Sequence, residues 1–215
     1  MTAVAPAPAD LRLLFDIDGT LVDSSRLIVD VWRRVAAEFG ADADAILAVC
    51  HGRRDAEVVP MFFRAEDVPS VLTRIQQLEA EGVALLSPVA GAPELLGGLP
   101  ADRWAAVTSG PSGLMTGRLR SAGLPTPAVL VAADHVENGK PHPEGYLAAA
   151  DALGAAPQEC VVVEDAPAGV TAGRRAGMFV IGITTTHSAD QLAEAHAVVD
   201  SLSDIRAVLA AHAPR

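Results

Sequence analysis

Four groups of polar residues stand where chemistry could be done, and each is tied to a short apolar run or a constrained loop. Asp16 and Asp18 lie two residues apart in DIDGT, directly after Leu11–Phe15. Thr108-Ser109-Gly110 follows Trp104–Val107, Lys140 stands in NGKPHP, and Glu164-Asp165 follows Val161–Val163. Two carboxylates at this spacing can divide the work of phosphoryl transfer. One attacks phosphorus, which a carboxylate does without prior deprotonation. The other protonates the departing alkoxide and later takes a proton from water. Gly19 lets the backbone bend back over such a site, and Thr20 can offer a hydroxyl to phosphate. Acids gathered around a phosphate need a cation. Magnesium is a hard ion that takes carboxylate and carbonyl oxygens, and Glu164 and Asp165 supply further anionic ligands. Thr108 and Ser109, opening a helix, read as an anion cradle of hydroxyls and backbone N–H groups. Lys140 is the only lysine among sixteen basic residues, so its place calls for a compact point charge. Each group also has a plainer use: an acidic turn, a strand end, a helix cap or an exposed loop lysine.

The elements that must position these groups follow from hydrophobic spacing. Leu11–Phe15, Trp104–Val107, Ala128–Val131, Val161–Val163 and Phe179–Ile183 are too short for helices and are bounded by turn or polar residues, so they read as buried strands. Helical patterns lie between them, as in Glu144–Leu153 and Gly169–Ala176, and Ser203–Ala211 reads as a closing helix. Strands that are apolar throughout, alternating with helices, predict an α/β fold with a Rossmann-like parallel sheet covered on both faces. Ligands of such sheets sit at the carboxyl ends of the strands, where the polar groups would converge. From Asp23 to Leu86 only helical patterns occur: Leu27–Phe39, Ala43–Val49, Asp55–Phe63 and Val68–Ala80. This predicts an all-helical insertion over residues 23–87, with a core formed by 1–22 and 88–215. Residues 1–9 read as a flexible tail.

Composition narrows the function classes. The chain has 215 residues, half of them hydrophobic, and a net charge of −11. An acidic surface argues against nucleic acid and anionic membranes as partners. Cys50 and Cys160 make no disulfide framework and read as small buried hydrophobes. No apolar run reaches the ~18 residues that span a bilayer, and the N-terminus lacks the pattern of a signal peptide. The expectation is a cytoplasmic protein acting on a small phosphorylated metabolite, with no obligate protein partner. His135, His187 and His196 have no partner at metal-ligand spacing, and His142 reads as a loop residue near Lys140.

DIDGTLVDS, VTSG, GKPHPEGY and VVVEDAPAGV, in this order, resemble the phosphatases of the haloacid dehalogenase superfamily from Leu11 to Ile205. The resemblance implies a core with a helical cap inserted after the first motif. It implies Asp16 as nucleophile, Asp18 as general acid/base, and Thr108 and Lys140 as phosphoryl ligands. Magnesium would be held by Asp16, the Asp18 carbonyl and Asp165, with Glu164 as a further ligand or supporting partner. His51-Gly52-Arg53-Arg54 and the run from Gly139 to Gly169 look most like bacterial sugar phosphatases and yeast-type glycerol-3-phosphate and 2-deoxyglucose-6-phosphate phosphatases. By that likeness His51, Arg53 and Arg54 of the cap would reach the substrate's hydroxyls and charge. A sugar phosphomutase of the β-phosphoglucomutase type shares all four motifs and is the alternative. Mutases of that type carry a cap lysine, and residues 23–87 contain none.

Overall fold

The computed structural model describes residues 11–83 and 86–212; the tail expected over residues 1–9 lies outside the described residues. Strand β1 (Arg12–Phe15) runs through a tight turn into the two-residue β2 (Val22–Asp23). Helices α1 (Ser25–Phe39), α2 (Ala43–Cys50), α3 (Asp55–Phe62) and α4 (Val68–Gly82) follow without an intervening strand, and β3 (Ser87–Pro88) brings the chain back. The rest alternates: α5 (Ala92–Gly97), β4 (Trp104–Val107), α6 (Ser112–Ser121), β5 (Val129–Val131), α7 (Glu144–Ala152), β6 (Cys160–Glu164), α8 (Pro167–Arg175), β7 (Phe179–Ile183), β8 (Ala197–Val199) and α9 (Ile205–His212).

The main sheet has the order β5-β4-β1-β6-β7-β8, and its pairs are parallel. Strand period explains why both faces are apolar. Leu13 and Phe15 pack on one side with Trp104, Ala106, Val161 and Val163, together with residues of α5, α6 and α9. Leu14 packs on the other with Ala105, Val107 and Val162, under α7 and α8. β1 is central, flanked by β4 and β6. The residues that follow these three strands are therefore neighbours at one edge, where the order of connections reverses.

Helices α1–α4 bury their own apolar set, including Val31, Trp32, Ile46, Val58, Val71 and Ile75. Asp42 starts α2 by accepting from Asp44 and Ala45 N–H at 3.0 and 3.2 Å. The chain enters and leaves this helical unit through β2 and β3, which pair antiparallel with Val22 opposite Pro88. The architecture is thus a Rossmann-like parallel sheet with an inserted helical unit. Among the described residues, no helix is long and apolar enough to cross a membrane.

Gly169 shows how tightly the core is drawn around one acid. A Cβ there would lie 1.7 Å from Glu164 Oε1. Gly169→Ala should therefore displace a buried carboxylate and cost about 1–3 kcal/mol, lowering Tm by roughly 2–4 °C per kcal/mol. A thermal melt matching the wild type would show that Glu164 has room to move.

Candidate active site

β1 ends at Phe15, so Asp16 is the first residue beyond the sheet, and its N–H stays tied to the Val163 carbonyl of β6 at 3.0 Å. The chain then turns sharply: Leu21 and Val22 N–H both return to the Ile17 carbonyl, and Gly19 takes φ +79. This turn packs against the end of β6. Thr20 is fully buried, and its hydroxyl donates to Asp165 Oδ1 at 2.9 Å. Thr186, from the loop after β7, donates to Asp165 Oδ2. Thr20 was expected to offer its hydroxyl to phosphate; here that hydroxyl orients a carboxylate instead.

Lys140 reaches the same point from the loop before α7. Its Nζ lies 2.5 Å from Asp16 Oδ1 and 2.6 Å from Glu164 Oε1, and donates to the Val107 carbonyl at 3.1 Å. The three partners account for the three protons of an ammonium. Tyr146 of α7 donates to Glu164 Oε1 at 2.8 Å, while Glu164 Oε2 accepts from the N–H groups of Asp165 and Ala166. Glu164 is thus engaged on both oxygens by protein donors. Its geometry is that of a residue that holds Lys140.

Burial dominates the electrostatics. It pushes the Asp16 carboxyl well above the usual range; the Lys140 charge opposes this, and Glu164 and Asp165 add to it. Burial and then Glu164 push Asp165 up to about 7. Burial works against the charge on Lys140 as well, yet Asp16 and Glu164 outweigh it and hold its pKa above the ordinary lysine value. Tyr146 is raised by burial and by Glu164, and so remains a donor. Asp16, Glu164 and Asp165 each offer an oxygen within 4.8 Å of the others. Three buried carboxylates facing one ammonium leave negative charge unmatched. An all-oxygen donor set of this kind fits a hard divalent cation.

The helical unit closes over this floor. Ser109 donates to the Gly52 carbonyl at 2.8 Å, joining the loop after β4 to the α2–α3 connection. Thr108 is buried beside it and, with Lys140, lines a small cavity behind. His51 and Arg53 line a cavity together with Asp16, Asp18 and Ser109. Arg54 does not line that cavity. Its guanidinium donates to the carbonyls of Val136 and Glu137 at 3.1 and 3.0 Å, docking the helical unit onto the core. His187, read from sequence as a bystander, lies with Nδ1 2.9 Å from the Asp165 carbonyl, and its ring meets that of His51 edge-on at 5.6 Å. The cavity holds about 60 Å³, room for a few water molecules.

One charged cluster escaped the sequence reading. Arg118 of α6 is 1% exposed and lies 2.5 Å from Asp18 Oδ2 and 2.7 Å from Glu79 Oε1 of α4. Asp55, at the start of α3, faces the same cavity. Burial pushes Glu79 up to about 7 and Asp55 to about 6, against the pull of Arg118. An arginine between Gly117 and Leu119 in a ten-residue helix gives no local sign that it is buried. Its acid partners come from the turn after β1 and from α4.

A family model of haloacid dehalogenase-like hydrolases matches residues 12–177. Hexitol phosphatase A of Escherichia coli is 40% identical over 200 residues, covering 89% of this chain and 91% of its own. Glycerol-1-phosphate phosphohydrolase 2 of Saccharomyces cerevisiae is 35% identical over 204 residues, covering 84% of this chain and 77% of its own. A HAD family hydrolase from Deinococcus radiodurans, solved with bound phosphate and sodium, superposes with a TM-score of 0.71 at 32% identity, over 96% of this chain and 97% of that one. The chain belongs to the haloacid dehalogenase-like hydrolases and is a phosphoric monoester hydrolase of that family.

Proposed function

We propose that the enzyme hydrolyses a small sugar or sugar-alcohol monophosphate through an aspartyl phosphate on Asp16, with magnesium as its cofactor. The observation that carries this reading is Asp16 itself. It is buried at the floor of a cavity, bound by Lys140, with Asp18 on the cavity wall. The relatives' names, hexitol phosphatase and glycerol-1-phosphate phosphohydrolase, support the substrate class. Residues 1–22 and 88–215 act as the catalytic core and 23–87 as a cap. The same reading makes it a cytoplasmic enzyme working without an obligate protein partner.

Asp16 attacks phosphorus and the ester P–O bond breaks. Asp18 gives its proton to the departing alkoxide. Water then attacks the aspartyl phosphate, Asp18 recovers a proton from it, and inorganic phosphate leaves with the Asp16 carboxylate restored. Lys140 keeps Asp16 in place and adds positive charge where phosphoryl oxygens gather. Thr108 and the backbone N–H of Ser109 are their other donors, the Ser109 hydroxyl being held by the Gly52 carbonyl. Magnesium, held by Asp16, Asp165 and the Asp18 carbonyl, supplies further charge neutralisation when bound. Glu164 supports from behind through Lys140. A cavity of about 60 Å³ is too small for a sugar phosphate, so the cap must swing away to admit substrate. His51 and Arg53 then close on the leaving group, and Arg54 reseats on the core.

Asp16→Asn should abolish phosphate release. Asp18→Asn should lower turnover of an alkyl phosphate by roughly 10²–10⁴. With p-nitrophenyl phosphate, whose leaving group needs no proton, Asp18→Asn should still be phosphorylated but should dephosphorylate slowly. Mass spectrometry of quenched samples should therefore find a phosphoryl group on Asp16. Its absence, with Asp16→Asn still active, would sink the covalent reading.

Metal affinity should rise with pH. Binding needs Asp165 ionised, and its carboxyl sits at about 7. Magnesium should bind about tenfold more tightly at pH 8 than at pH 6, releasing a proton as it binds. Calorimetry in two buffers of different ionisation enthalpy measures both. An affinity flat across that window would remove Asp165 from the metal site.

A further inference from the structure

Arg118 is a buried cation that the mechanism above leaves without a task. It belongs to α6 of the core, yet it touches both the acid/base residue and the cap. One terminal nitrogen lies 2.5 Å from Asp18 Oδ2, the other 2.7 Å from Glu79 Oε1. Asp18 Oδ1, by contrast, is buried with no hydrogen-bond partner among the described residues. Asp18 and Arg118 both line the cavity that contains Asp16.

A guanidinium has only donors. An oxygen held by it at this distance cannot present a proton along the same line, because no acceptor is there. The two oxygens of Asp18 are therefore chemically distinct before any substrate arrives. We propose that Arg118 is a positioning residue for the acid/base step: it fixes Oδ2 as the unprotonated oxygen and leaves Oδ1, which no protein donor holds, to give and take the catalytic proton. Glu79 holds the opposite side of the same guanidinium from the cap. The grip on Asp18 is therefore complete only when the cap is seated. A carboxylate free to rotate would spend part of its time with the proton turned away from the leaving group, and general acid catalysis depends on that geometry.

The inference rests on the phosphatase reading, and the test separates the two. Rapid-quench measurement gives the rate of phosphoenzyme formation from glycerol phosphate, whose alkoxide needs a proton, and from p-nitrophenyl phosphate, whose phenolate does not. In Arg118→Met the ratio of the first rate to the second should fall by about tenfold or more, as proton delivery is lost. Arg118→Lys should recover part of it, since an ammonium also donates without accepting. Because the single change leaves Glu79 buried opposite an apolar side chain, Arg118→Met combined with Glu79→Gln carries the measurement if the single variant does not fold. An unchanged ratio, whether both rates drop together or neither does, would overturn the proposal and leave Arg118 a structural ion pair. A wild-type enzyme that forms no phosphoenzyme from either ester would overturn the phosphatase mechanism, and this inference with it.

Discussion

Three carboxylates and one ammonium share a pocket that water barely reaches. Asp16, Glu164, Asp165 and Lys140 are each at most 5% exposed. In such a medium like charges repel strongly, and an unpaired charge is costly. Much of the surrounding structure can be understood as the means of keeping these groups together. The sheet order sets β1 beside β6, so Asp16 and Glu164 are brought to the same edge. Tyr146, Thr20, Thr186 and the N–H groups of Asp165 and Ala166, just before α8, occupy carboxylate oxygens that would otherwise face each other bare. Lys140 takes the remaining positions.

The same arithmetic recurs above it. Asp18, Asp55 and Glu79 surround Arg118 as the lower acids surround Lys140. The lower cluster belongs to the core alone. The upper one is assembled from both units, with Arg118 and Asp18 from the core and Asp55 and Glu79 from the cap. Seating the cap is thus an electrostatic event as well as a steric one. Separating the units would return carboxylates to water and leave Arg118 with Asp18 alone.

Sequence reading reaches the lower cluster and largely misses the upper. Strands buried on both faces are continuous apolar runs, so β1, β4, β6 and β7 and the polar groups that end them stand out without any structure. Strand β8, Ala197–Val199, lies at the sheet edge behind the Ala-rich stretch Leu192–His196, whose composition favours a helix. Helix α5 spans six residues with Pro93 inside its first turn, and its periodicity is thin. Thr20 and Arg54 stand out in the sequence for their chemistry, but their partners lie 145 and 82 or more positions away. Such distances separate a hydroxyl that meets phosphate from one that steers Asp165. Arg118 carries no local signal, because its partner Glu79 stands 39 positions earlier.

The two-residue ribbon of β2 and β3 has its own implication. Val22 faces Pro88 and Asp23 faces Ser87, so the chain leaves the core and re-enters it one strand spacing apart, about 4.8 Å. The core therefore experiences the whole helical unit as it would a hairpin loop. Closing such a loop grows more costly only with the logarithm of its length, and the helices offset that cost with an apolar centre of their own. An insertion point built this way is indifferent to what it carries. The helical unit can lengthen, shrink or be exchanged in the course of descent while the strands beneath keep their register, and with it the alignment of the carboxylates at their ends.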